Sequence, residues 1–168
     1  MTVTSDVVGE VLQANGDYAV GFSKGDLPMP PARRFAVVAC MDARIVPAKA
    51  LGLEEGDAHV IRNAGGLASD DALRSLVISH TLLGTQEAIV VGHTDCGVLT
   101  FTNDSIHAKL HDDLGADASD TDCLPFADVE AAVRESVAKI AETPLLPDTY
   151  TERGYVYEVG SGRLREVV

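Results

Sequence analysis

The rhythm of apolar and polar positions changes at residue 35. Before it, Val7, Val8, Val11 and Leu12 recur at the spacing of one helix face, which predicts a short amphipathic helix. Gly21 to Pro31 follow, and Pro28, Pro30 and Pro31 force extended chain there. Residues 1–34 thus read as an arm that packs on its own domain or reaches across to a partner subunit. From Phe35 the pattern is a continuous apolar run, Phe-Ala-Val-Val-Ala, ending at Cys40, as for a strand buried on both faces of a parallel sheet. Ala58–Ile61 and Ala88–Val91 predict two further strands, which lead into Arg62-Asn63-Ala64-Gly65-Gly66 and Gly92-His93. Between them, Leu73, Leu76, Val77, His80 and Leu83 line one face of a helix capped by Ser69 or Asp70 and stopped by Gly84. Strand, helix, strand at this separation is a βαβ unit. The expected fold class is therefore α/β, a mostly parallel central sheet flanked by helices.

Residues 111–125 are acidic and turn-rich and read as a solvated loop. Phe126, Val129, Val133, Val137 and Ile140 then mark one face of a helix that stops near Pro144. The C-terminal stretch predicts a hairpin, with Tyr155–Val159 and Arg163–Val167 flanking Gly160-Ser161-Gly162. No internal repeat or second domain is visible, so residues 1–168 are expected to form one domain.

Composition narrows the field. Hydrophobic residues make up 46% and charged residues 23% of 168 positions, which excludes wholesale disorder. With 13 basic against 26 acidic side chains the formal charge is −13, which opposes binding to nucleic acid or an anionic membrane surface. No stretch approaches the ~18 consecutive apolar residues of a membrane span. Met1–Asp6 lacks the layout of a secretory signal, so a cytoplasmic location is expected. The three cysteines form no even disulfide framework, which directs attention to metal binding or catalysis.

Cys40 ends the first buried strand, His93 ends the third, and Cys96 follows three residues on. Ligands of an open parallel sheet bind outside the carboxyl ends of its strands, where these three side chains converge. Two thiolates and an imidazole suit tetrahedral zinc, and three protein ligands leave the fourth position of a catalytic site. In Cys40-Met41-Asp42-Ala43-Arg44, extended chain places residues 40, 42 and 44 on one side. Asp42 then either fills the fourth position or pairs with Arg44 and leaves that position to water, in outline a hydrolase or hydratase. Gly97 offers backbone N–H near the site, and Gly65 and Gly66 allow close approach of the main chain.

These motifs in combination, Cys40-Met-Asp42-Ala-Arg44, His59-Val-Ile-Arg62-Asn63-Ala64-Gly65-Gly66 and Val90-Val-Gly-His93-Thr-Asp-Cys96-Gly97, resemble the β-class carbonic anhydrases. The short actinobacterial-type branch, which also resembles carbonyl sulfide hydrolases, is nearest through Pro28-Met29-Pro30-Pro31, Asp70-Asp71 and Leu99-Thr100-Phe101-Thr102. The resemblance implies one zinc ion per chain on Cys40, His93 and Cys96, with Asp42 as the closing fourth ligand and Arg44 as its alternative partner. It implies zinc-hydroxide-dependent hydration of carbon dioxide to bicarbonate, and a homodimer with embracing arms, or a homotetramer. Two positions depart from the family pattern: Ala43 stands where many members have serine, and Pro31 stands near the place of a glutamine in plant-type members.

A hydrolase of carbonyl sulfide or carbon disulfide fits the same residues. A non-catalytic zinc domain closed by Asp42 also fits, although Arg44 gives Asp42 somewhere else to go. A redox pair fits less well, since Cys40 and Cys96 are not a Cys-x-x-Cys motif. Cys123 is read as a bystander thiol in the acidic loop, and His59 and His80 as packed or solvated. His107 and His111 are read as a solvated helix face, and Asp95 as ordering the ligand loop.

Overall fold

In the computed structural model, which describes residues 6–168, the arm forms helix α1 (Val7–Val20), capped by the Asp6 carboxylate accepting from Gly9 N. No residue of α1 is buried. The apolar run forms β1 (Phe35–Cys40), all six residues buried, and a short helix α2 (Pro47–Leu51) follows. Strand β2 (Ala58–Asn63) leads through a glycine turn into α3 (Asp70–Leu83). Ser69 caps α3 by accepting from Ala72 N, and Gly84 ends it with φ +74°. Next come β3 (Glu87–His93), a turn at Gly97–Thr100, and helices α4 (Asn103–Leu114) and α5 (Val129–Ala141). Strands β4 (Thr151–Glu158) and β5 (Arg163–Glu166) complete the chain.

The sheet order is β2-β1-β3-β4-β5, parallel except for the antiparallel β5, which matches the expected α/β class. Side chains alternate across β1. Ala36 and Val38 join Leu76, Val133, Val137 and Ile140 in one core layer, while Phe35, Val37 and Ala39 pack with Leu53 and Val91 in the other. Both faces of the strand are thus dry, as its unbroken apolar composition requires. Among the described residues, no helix is long and apolar enough to cross a membrane.

Three boundaries differ from expectation. The acidic loop begins after Leu114 because a Thr102–Ser105 capping box starts α4 and Gly115, at φ +65°, ends it. Phe126 lies outside α5, whose N-cap is Asp128 accepting from Ala131 N at 2.8 Å. The hairpin's first strand starts four residues early, at Thr151, since β4 pairs with β3 along its length (Glu87↔Thr151 to His93↔Tyr157).

Candidate active site

The carboxyl ends of β1 and β3 are adjacent in the sheet, so Cys40 and His93 arrive side by side. A tight turn with Asp95 at φ +56° brings Cys96 back toward them, and aspartate is among the few non-glycine residues that tolerate this conformation. The candidate ligand atoms of Cys40, His93 and Cys96 all lie within 4.8 Å of one another, and all three residues are buried. The Thr94 carbonyl lies 2.9 Å from His93 Nδ1. A carbonyl only accepts, so Nδ1 carries the proton and Nε2 presents a bare lone pair. Nε2 is buried with no hydrogen-bond partner. An orphaned acceptor facing two sulfurs is costly unless a cation takes it, so these residues fit a metal ion. Burial, with Cys40 beside it, pushes the Cys96 thiol up, and a bound cation would oppose this by favouring the thiolate.

Asp42 sits at the edge of this group, its Oδ2 3.8 Å from His93 Nε2, and is turned to Arg44. Arg44 Nε donates to Asp42 Oδ1 at 3.0 Å, Nη2 to Oδ2 at 2.8 Å, and the Arg44 backbone N–H to Oδ1 at 2.8 Å. These bonds, the side-chain ones foremost, hold the Asp42 carboxyl well below the usual carboxylate range. The guanidinium also donates from Nη1 to Asp95 Oδ2 at 2.6 Å and from Nη2 to the Asp95 carbonyl at 2.8 Å. Asp95 therefore bonds Arg44, a partner outside its own loop.

A cavity of about 480 Å³ opens over the group. Cys40, Asp42, Cys96 and Gly97 form its reactive end, and Val98, Phe101 and Ile106 form an apolar wall.

A carbonic anhydrase family model matches residues 35–164. The chain belongs to the β-carbonic anhydrase family. It is 46% identical over 167 residues to β-carbonic anhydrase 1 of Mycobacterium tuberculosis, covering 99% of both chains. It is also 36% identical to a carbon disulfide hydrolase of Saccharolobus solfataricus, covering 96% of this chain and 89% of that one. A crystal structure of carbonic anhydrase from Streptococcus mutans superposes with a TM-score of 0.92 at 47% identity, covering 96% of this chain and 97% of that one.

Within this anhydrase fold, Gly65 and Gly97 line the cavity, whereas Gly66 lies behind it. Gly66 has φ +68°, and a Cβ there would stand 2.7 Å from Cys40 N and 2.9 Å from Val91 O. Both obstacles are backbone of the ligand-bearing strands, so neither can give way. Gly66→Ala is expected to cost about 3 kcal/mol or more through strain and overlap. A urea midpoint equal to that of the wild type contradicts this.

Cys123, read as a bystander thiol in the acidic loop, stands half-buried in the cavity wall, with its N–H donated to Asn103 Oδ1 at 3.0 Å. His59 packs against Ser79 (Nδ1 to Oγ, 2.7 Å) and His80 against the Thr85 carbonyl (2.7 Å). His107 Nε2 bonds the Thr121 carbonyl across the acidic loop. Arg62 carries a role the sequence did not disclose. It donates from Nε and Nη2 to the Cys40 carbonyl at 3.0 and 2.9 Å, and from Nη2 to the Asp42 carbonyl at 2.8 Å. Its register neighbour on β1 is Ala39, so the side chain needs only to reach forward to clamp the loop of residues 40–42.

Proposed function

We propose that this chain hydrates carbon dioxide reversibly to bicarbonate with one zinc ion held by Cys40, His93 and Cys96. The observation that carries this reading is the Asp42–Arg44 pair, which holds the Asp42 carboxylate on the guanidinium rather than among the three candidate ligands. Bound there, zinc supplies Lewis acidity that makes a water nucleophilic near neutral pH. Arg44 holds both oxygens of the ionised Asp42 carboxylate and keeps it off the fourth position. Ionised, Asp42 only accepts hydrogen bonds, so its Oδ2 can orient the hydrogens of the attacking water and turn an oxygen lone pair toward the substrate. Val98, Phe101 and Ile106 give a neutral, linear electrophile a dry approach, and Gly65 and Gly97 leave the space beside the reacting atoms open. Asp42 held by Arg44 speaks against a closed, non-catalytic zinc domain.

Hydrolysis of carbon disulfide or carbonyl sulfide is the second reading. It is favoured by the roomy apolar cavity and by the name of the Saccharolobus solfataricus relative. Parallel assays separate the two. Carbon dioxide hydration with no sulfide release from carbon disulfide or carbonyl sulfide supports the first, and the reverse supports the second.

Self-association is part of the same reading. Val7, Val8, Val11 and Leu12 all stand exposed along one side of α1. Such an unpartnered apolar face on an arm fits burial against a second copy of the chain. Val8→Asp with Leu12→Asp is expected to shift the sedimentation coefficient to that of a monomer. An unchanged coefficient contradicts arm-mediated assembly.

A further inference from the structure

Arg44 faces two carboxylates, and only Asp42 enters the reading above. Its donors divide cleanly between them: Nε and one hydrogen of Nη2 serve Asp42, while Nη1 and the other Nη2 hydrogen serve the carboxylate and carbonyl of Asp95. Asp42 and Asp95 therefore do not compete for one hydrogen; they grip opposite edges of one planar fork. The Arg44 side chain is about half exposed (48%), so little packing would hold the guanidinium if either grip were lost. The turn itself asks only for a residue that tolerates φ +56°, which asparagine or glycine also does. A carboxylate at 95 is therefore not explained by the loop's shape.

We propose that Asp95 is a positioning residue for the Asp42–Arg44 pair: it docks the far edge of the guanidinium so that Arg44 stays in place whether or not Asp42 is bound to it. The inference rests on the proposed role of Asp42 at the metal. With Arg44 anchored by Asp95, release and recapture of Asp42 require movement of one carboxylate rather than a search by two side chains. Because the Asp95 carbonyl is also an acceptor and Cys96 is the next residue, the turn that presents Cys96 is tied to the guanidinium that holds Asp42. Without the Asp95 side chain, Arg44 rotates and samples solvent, and Asp42 spends less time turned away from the metal.

Asp95→Gly and Asp95→Asn test this, since both tolerate the left-handed turn and keep the main-chain carbonyl. The first measurement is nuclear magnetic resonance of the Arg44 guanidinium on protein as purified, with metal content recorded. Rotation that interchanges Nη1 and Nη2 is expected to be about tenfold faster in Asp95→Gly, the effect of losing one charge-assisted hydrogen bond. Asp95→Asn, which keeps an acceptor without the charge, falls between Asp95→Gly and wild type. The second measurement is kcat at neutral pH, expected to fall roughly threefold in Asp95→Gly with KM and metal content unchanged, the size an exposed ion pair carries. Wild-type rotation rates in both variants overturn the proposal. An enzyme inactive toward carbon dioxide leaves the rotation result standing, so failure of the functional reading is told apart from failure of this one.

Discussion

Cys40→Ser, His93→Ala and Cys96→Ser are each expected to lose zinc and activity together. The three ligand atoms converge within 4.8 Å in a buried pocket, and two of them come from neighbouring strand ends that cannot shift to compensate. Serine at 40 or 96 replaces a soft sulfur with an oxygen that stays protonated at neutral pH, and alanine at 93 removes the only imidazole of the group. Bound zinc is expected to fall from one per chain to a small fraction. Activity is expected to fall by more than about 100-fold, beyond the 10- to 100-fold typical of residues that merely support a ligand. Metal analysis on the dialysed variants checks this, and a full complement of zinc in any of them refutes the ligand assignment. His93→Ala has a second consequence. It removes a buried, unpartnered Nε2, so the metal-free variant is not expected to be destabilised by loss of a hydrogen bond at that atom.

Arg44→Ala is expected to keep zinc but to slow turnover at neutral pH. The guanidinium supplies two of the three hydrogen bonds on Asp42 and is the largest cause of its depressed pKa. Once it is removed, the carboxyl returns toward its ordinary range, about 3.9, and remains ionised at neutral pH. A metal held at His93 Nε2 would then attract it, since that nitrogen lies only 3.8 Å from Asp42 Oδ2. Asp42 would turn toward that metal and fill the position the reaction needs. Turnover is expected to drop about 10- to 100-fold. Arg44→Lys restores little of it, because an ammonium cannot form the two-pronged contact to Oδ1 and Oδ2. Unchanged turnover in Arg44→Ala at pH 7, with zinc bound, contradicts the idea that Arg44 governs Asp42.

The centre of the site was legible because its residues sit where secondary structure ends. An unbroken apolar run stops at Cys40 and another at His93, and parallel pairing makes their ends neighbours whatever the rest of the chain does. The surrounding residues were not legible, because they reach the site from irregular segments. Cys123 comes to the cavity wall through Asn103, twenty residues away, and no periodicity encodes that contact. Phe126 fits the apolar spacing of α5, yet the Asp128 cap starts the helix later and releases Phe126 to pack beside Cys40 and Cys96. Arg62 has no assigned role in the sequence and Asp95 reads only as ordering its own loop; the register of β2 on β1 and the positive φ at 95 are what aim them at residues 40–44.

The central claim is that zinc on Cys40, His93 and Cys96 confers carbon dioxide hydration. Stopped-flow hydration rates during titration of metal-free protein with zinc test it most directly. The rate is expected to rise linearly to one zinc per chain and then stay level, with no rise in His93→Ala. A negligible rate at full zinc occupancy, or a rise that His93→Ala shares, contradicts it.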